Sequence, residues 1–295
     1  MNNHFLFIHI PKTAGTSFRL AAEKYFGSKN TFYDYGIGSS ETSQVIKDYV
    51  YEKKDLYSLQ QVFNTYESLF LSGHFHVSKY MSLFQTLNVI TFVRNPIEQV
   101  ISHYYHFKRW NGYAKDLETF IQEERFKNVQ SKLLRAKPLE LFGFVGLTEK
   151  YEKSIKMIND YYSLNLDVKY LNVNKENKFS IDKKLLKLII KENSIDMQLY
   201  EKAKKIFSER EKDYYQNKTY RYLFFQEKTD RKVKGLYFEK NSIEPLEIKL
   251  IVDGKIKYVK ASSLRAGMLV HNLPRNGFVG FEYNLKDNEK RIGIV

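Results

Sequence analysis

Phe5-Leu6-Phe7-Ile8-His9-Ile10-Pro11-Lys12-Thr13-Ala14-Gly15-Thr16-Ser17-Phe18 is the stretch whose reading decides the fold. Phe5 to Ile10 is a short, almost wholly apolar run, the pattern of a strand buried on both faces of a parallel sheet. Pro11 to Ser17 interrupts it with loop chemistry. Phe18 to Phe26 then reads as a helix, with Gly27 in the position of a C-cap. Strand, glycine-bearing loop and helix together open an α/β nucleotide-binding fold. Such a loop suits an anion, because free backbone N–H groups and the positive end of the helix dipole point out of it. Gly15 lets the backbone approach an anion closely. Thr16 and Ser17 offer hydroxyls, and Lys12 offers a point charge. The order is not that of a Walker A loop, which needs two glycines and a lysine directly before Ser or Thr. An ordinary strand–helix turn is the plainer reading, and it leaves the lysine, the glycine and both hydroxyls unexplained.

Working outward, the same grammar returns at Val89-Ile90-Thr91-Phe92-Val93, a second buried strand, followed by Arg94-Asn95-Pro96. Proline suits the first helical turn, so a helix starts near Pro96. Ser102 stands eight residues after Arg94, two turns along that helix, so both reach one anion only if it lies along the helix. Residues 115 to 135 pattern as helix, Phe144 to Leu147 as a strand, Glu149 to Tyr162 as a helix, and Val168 to Val173 as a further strand. Residues 182 to 215 carry lysine-rich helical patterning. After Arg231 short alternating strands take over: Gly235–Phe238, Leu246–Val252 and Lys255–Val259, with Asp253-Gly254 as a two-residue hairpin turn. The chain divides into a domain over residues 1–230 and a small all-β module over 231–295.

The 295 residues carry a formal charge of +14, with 43% hydrophobic residues and no cysteine. That composition supports a buried core and excludes a disordered chain, a disulfide framework or a thiolate metal site. The charge draws polyanions: phosphorylated cofactors, acidic polysaccharides, nucleic acid or an anionic membrane surface. A solvated basic surface is the bland alternative. No apolar run is long enough for a signal-peptide core or a membrane span, so a cytoplasmic protein is expected.

The first loop resembles the 5′-phosphosulfate loop of sulfotransferases that use 3′-phosphoadenosine 5′-phosphosulfate (PAPS), most closely their carbohydrate branch with the uronyl 2-O-sulfotransferases. The resemblance implies that Lys12 holds the bridging oxygen and the transferring sulfuryl group, so that it is catalytic as well as cofactor-binding. Thr13, Gly15, Thr16 and Ser17 would ligate the phosphate. Arg94 and Ser102 resemble the family's 3′-phosphate element. Phe144-Val145-Gly146-Leu147-Thr148-Glu149 is similar to a stretch near the nucleotide, which makes Thr148 a cofactor-site candidate; an N-cap hydroxyl is its other reading. Asn128-Val129-Gln130-Ser131-Lys132 is similar to a family segment close to acceptor and cofactor. The implied fold is a three-layer, P-loop-like α/β sulfotransferase domain with a mostly parallel central sheet. The tail, Gly235 through Leu285, is similar in Leu250-Ile251-Val252-Asp253-Gly254, Ser263-Leu264-Arg265 and Asn276 to Tyr283 to β-sandwich modules appended to bacterial glycan-modifying transferases, which implies that it assists glycan or partner binding or only extends the scaffold. The resemblance covers about residues 5 to 225 and implies sulfuryl transfer to a carbohydrate hydroxyl, with 3′-phosphoadenosine 5′-phosphate (PAP) as product and no metal.

The transfer needs a base for the acceptor proton, and histidine suits that near neutral pH. His74 and His76 lie in Ser72-Gly73-His74-Phe75-His76-Val77, where an extended segment points both into one cleft. The family's Gly-His-Phe register favours His74, while its His-x-His register leaves His76 open. Two hydrogen-bonded structural histidines are the plainer alternative, and no third ligand makes them a metal site. His9 reads as packing within the cofactor loop, and His103 and His106 as ordinary helix residues. The expected partner is a carbohydrate acceptor, with acidic polysaccharide and peripheral membrane contact as options and nucleic acid excluded. A small-molecule kinase is the competing enzyme, but it lacks the Walker A order and a magnesium-binding aspartate at a strand end. A non-catalytic polyanion-binding protein is the competing class; it would hold heparin or nucleic acid without turnover.

Overall fold

The computed structural model describes residues 3–168, 182–240, 243–286 and 289–294. Five parallel strands form the central sheet: β1 (Asn3–Ile8), β2 (Thr31–Asp34), β3 (Ser68–Gly73), β4 (Val89–Val93) and β5 (Phe144–Leu147). Their order is β2-β3-β1-β4-β5. The helices are α1 (Gly15–Phe26), the single-turn α2 (Gln44–Ile46), α3 (Leu56–Asn64), α4 (Pro96–Trp110), α5 (Leu117–Gln122), α6 (Val129–Leu134), α7 (Tyr151–Tyr162), α8 (Lys183–Glu192) and α9 (Ser194–Tyr215).

Alternation along β1 builds three layers, since successive residues of a strand face opposite sides. Phe5 and Phe7 face α1 and α7: Phe7 meets Phe18 at 4.6 Å between ring centroids, and Phe5 meets Tyr162 at 5.0 Å. Leu6 lies in register with Leu71, and Leu71 with Phe32. Phe32 meets Phe63 of α3 at 5.2 Å on the opposite face. The sheet is therefore buried on both sides, as its continuous apolar strands require.

The module, taken together with strand β6 that pairs with it, contains two antiparallel sheets. One holds β6 (Arg221–Lys228), β7 (Lys232–Glu239), β10 (Ser263–Leu264) and β11 (Phe278–Asn284); the other holds β8 (Glu247–Val252), β9 (Lys255–Lys260) and β12 (Ile292–Ile294). Val233 and Phe281 of the first and Ile248, Leu250 and Val252 of the second share one apolar cluster. Asp253 and Gly254 both adopt positive φ, 50° and 77°, as a type I′ hairpin turn demands. The Thr229–Arg231 turn, where the sequence suggests a boundary, joins β6 to β7, and these pair along their length.

Other sequence expectations change in detail. Residues 115–135 form two short helices separated by a 3-10 turn, not one. The 182–215 stretch breaks at Asn193, whose side-chain oxygen accepts from Asn128 N at 2.9 Å. Strands β2, β3 and β6 arise where no strand is expected. Of the strand expected over 168–173, residues 169–173 lie outside the described residues. Among the described residues no helix is long and apolar enough to cross a membrane.

Candidate active site

Strands β3, β1 and β4 are neighbours and run parallel, so the loops leaving Gly73, Ile8 and Val93 emerge side by side at one edge of the sheet. In open α/β sheets this carboxyl edge is where ligands bind. The three loops carry His74, Lys12 and Arg94.

The first loop has a strained backbone. Lys12 and Ala14 both adopt left-handed φ, 67° and 66°, a conformation that costs roughly 1–2 kcal/mol in a non-glycine residue and persists only where the surroundings enforce it. Here the enforcement is visible. The buried Thr13 hydroxyl donates to Ile10 O at 2.9 Å, Gln99 Nε2 to Pro11 O at 3.0 Å, and the Arg94 guanidinium to Lys12 O at 3.3 Å. Gly15 is obligatory: a Cβ there would sit 1.9 Å from His9 Cδ2. Ala14 caps α1 with no side-chain acceptor, so the first-turn N–H groups of α1 face the mouth of the loop. Lys12 is half-buried, and burial together with the cations Arg94 and Arg109 lowers its pKa. This cradle of donors and positive charge fits a phosphate-type anion. Thr16 is exposed on the first turn of α1, while Ser17 is buried.

Arg94 is held from two sides. Its backbone N–H donates to Gln130 Oε1 at 3.0 Å, and its carbonyl accepts from Gln130 Nε2 at 2.9 Å, so one buried amide pairs with it as a neighbouring strand would. Gln130 is fixed in turn at the start of α6, where Asp196 accepts from Gln130 N and Ser131 N at 3.0 and 2.7 Å. The Arg94 guanidinium also contacts Glu98 at 3.2 Å. Ser102 lies half-buried along α4. The Thr148 hydroxyl donates to Val93 O at 3.2 Å, tying the end of β5 to the end of β4 rather than capping a helix.

The two histidines differ. The chain bends after Gly73, so His74 and His76 do not lie in the extended segment that the sequence suggests. The His74 ring lies against that of His9 at a tilt, 4.4 Å between ring centroids, and its Nδ1 lies 2.5 Å from His9 O. A carbonyl only accepts, so Nδ1 carries the proton and Nε2 keeps its lone pair. His74 is exposed to solvent as a residue, while the protein packed round its ring lowers its pKa; Arg19 adds to this and the bond to His9 O opposes it. The backbone N–H of His74 donates to Asp34 O at 3.1 Å. The Asp34 carboxylate is itself fixed by Lys79, Tyr51 and Tyr80 at 2.6–2.7 Å. His76 spends its ring elsewhere: Nε2 accepts from Arg135 Nε at 3.2 Å, while Nδ1 lies 2.6 Å from the Ser78 hydroxyl and 3.3 Å from Ser78 N. Among the described residues no cluster of His, Asp and Glu is arranged to hold a metal ion.

His9 does more than pack. Its carbonyl sets the His74 tautomer, its ring fills the space opposite Gly15, and its Nδ1 shares a hydrogen bond with the Tyr35 hydroxyl at 2.9 Å. The sequence does not single out Gln99, Tyr35 or Asp34, nor Gln130 within the segment 128–132. The one local hint for Gln99 is an amide on the apolar side of a helix.

Residues 1–224 match the sulfotransferase family. No curated protein matches the chain. The chain is similar in structure to a crystallised sulfotransferase from Alicyclobacillus acidocaldarius, at TM-score 0.37 and 12% identity, over 66% of this chain and 93% of that one.

Proposed function

This chain belongs to the sulfotransferase family, and from that premise we propose that it moves a sulfuryl group from PAPS to a hydroxyl of a carbohydrate acceptor. The observation that carries the reading is the convergence of Lys12, Arg94 and His74 on one edge, from three adjacent parallel strands. The β1–α1 loop would hold the 5′-phosphosulfate through Lys12, Gly15, Thr13, Thr16 and Ser17, and Arg94 with Ser102 the 3′-phosphate. Thr148 would act on the nucleotide side by fixing the end of β4. The acceptor oxygen attacks sulfur as the bond from sulfur to the 5′-phosphate oxygen breaks. The acceptor proton passes to His74 Nε2, and the charge left on the departing phosphate falls beside Lys12. His74 is preferred to His76 because its Nε2 lone pair is uncommitted among the described residues, whereas that of His76 accepts from Arg135.

PAP binding by calorimetry and sulfate transfer from labelled PAPS to a glycan panel test the proposal. His74→Ala should cut turnover by about 10²–10⁴ and leave PAP affinity near normal, since the base acts on the acceptor. Because the His74 pKa is lowered, its neutral, proton-accepting form persists below the ordinary imidazole pKa. The acid limb of wild-type turnover should therefore fall below about pH 6.5. Full activity in both single histidine variants and in the double variant would reject histidine as the base.

A further inference from the structure

The module is attached at the sheet edge opposite to Lys12. Thr86 N, just before β4, donates to Asn272 O, and Tyr222 of β6 donates to Gly143 O, just before β5. The module therefore turns one sheet face to solvent far from the cleft, and that face has a definite composition. In the β12-β8-β9 sheet the inward side chains join the shared cluster. On the outward side Ile251 pairs with Ile256, Lys249 with Tyr258, and Glu247 with Lys260. Gly293 lies against Ile251 and leaves the surface flat there. Ile251, Ile256 and Tyr258 are 38%, 54% and 63% exposed. A contiguous apolar strip rimmed by polar groups marks an interaction surface.

The charges select the occupant. The β8–β9 hairpin carries Lys249, Lys255, Lys257 and Lys260 against Glu247 and Asp253. Lys257 points inward and is neutralised by Glu289 and Tyr283. Asp253 is occupied by the backbone N–H groups of Lys290 and Arg291. Lys249 and Lys260 thus stand beside Tyr258, with Glu247 as the single carboxylate of that face among the described residues. β9 is an edge strand, and lysines along an edge oppose pairing with an identical edge. A second copy is disfavoured on that ground, and a chain with an apolar ring face and anionic substituents is favoured.

We propose that this face binds an acidic polysaccharide, with one sugar ring against Tyr258 and Ile256 and its carboxylate or sulfate groups on Lys249 and Lys260. The assignment of a polysaccharide rests on the carbohydrate reading of the active site, where each transfer turns a neutral hydroxyl into a sulfate monoester and adds a negative charge to the chain. A polymer long enough to reach both ends would be retained between turnovers; a short acceptor confined to the cleft would not.

The test uses the full chain, with heparin as anionic probe and neutral dextran as control, in affinity electrophoresis at several salt concentrations. Lys249→Glu with Lys260→Glu should weaken heparin binding at least tenfold, and Tyr258→Ala severalfold, with Tyr258→Phe close to wild type. PAP affinity and turnover of a short acceptor should stay unchanged in all of them. A matched reversal on α8, Lys183→Glu with Lys187→Glu, should have a much smaller effect. An equal loss in that control would reduce the effect to net charge and overturn the proposal. So would unchanged heparin binding in the Tyr258 and lysine variants combined, or a dimer in sedimentation that these variants dissolve. Failure of the wild type to bind PAP would instead strike the sulfotransferase reading, and the face would still be judged by its own variants.

Discussion

The two edges of the central sheet each hold lysine and arginine away from bulk water, and they treat them differently. At the carboxyl edge Lys12 is half-buried in a loop with a left-handed backbone, and Arg94 reaches across to that loop's carbonyl. At the amino edge Lys137 and Arg210 are buried under the module. The Arg210 guanidinium donates to Gly143 O and Phe142 O at 3.1 and 3.0 Å and lies 4.7 Å from the Tyr222 ring. Lys137 Nζ donates to the Thr86 hydroxyl. One edge keeps donors and charge facing an opening, at a cost in backbone strain; the other spends its cations on carbonyl and hydroxyl groups that join two parts of the fold. Buried charge alone therefore does not identify a site here. What distinguishes it is strain together with uncommitted polar atoms.

The widest separation should come from Lys12→Met. If the carboxyl edge is catalytic, this change should reduce sulfate transfer about a thousandfold or more, as for loss of a group facing developing charge. The melting temperature should hardly move, because Lys12 supports no other element through its side chain. Equal losses of activity and stability would place Lys12 with the structural cations and remove the contrast.

Arg210→Ala should do the reverse. It leaves the buried Phe142 carbonyl without its donor, leaves Gly143 O to the Tyr222 hydroxyl alone, and opens space beside Tyr222, a loss of about 2–4 kcal/mol in urea unfolding. PAP affinity of the folded fraction should be unchanged. A third change grades the carboxyl edge itself: Arg94→Ala should weaken PAP binding about tenfold or more, and Ser102→Ala less, since a charged hydrogen bond to phosphate is roughly twice as strong as a neutral one. The opposite order would show that the phosphate lies further along α4.

The contrast also explains what the sequence discloses. Lys12, Gly15, Thr16 and Ser17 act within one turn of chain, so their chemistry is local and legible. Arg94 and Ser102 are legible because a helix fixes their spacing. Gln99 and Gln130 meet partners 88 and 36 residues away, and nothing beside them in the chain reports that distance. Strands β2 and β3 escape notice because Thr31–Asp34 is short and Ser68–Gly73 mixes serine and glycine with its apolar residues; the sheet, not the local pattern, makes them strands. The difference between His74 and His76 is tertiary too, set by the His9 carbonyl and Arg135.

Lys137→Met should have the smallest effect at neutral pH, and its sign is informative. Lys137 is buried with Thr86 as its hydrogen-bond partner, and burial lowers its pKa to about 7. A lysine whose folded pKa lies below its unfolded value stabilises least in acid. The unfolded chain takes up its proton near pH 10.5 and the folded chain only near 7, so stability from this group is lost as pH falls between those values and is level below them. Near pH 7 methionine forfeits one hydrogen bond but removes the penalty of burying an ammonium, so stability should stay within about 1 kcal/mol of wild type or rise. Between pH 7 and 10 the wild type should gain on the variant, as its own lysine is no longer penalised. His271, buried nearby with its pKa lowered to about 4, remains neutral in the folded chain over that whole range and adds only a small slope near pH 7, common to both proteins. Urea midpoints of both proteins at pH 7, 8.5 and 10 measure this. A variant that loses several kcal/mol at pH 7 would mean that Lys137 is held by a stronger partner than Thr86, and that the amino edge, like the carboxyl edge, depends on the charge of its lysine.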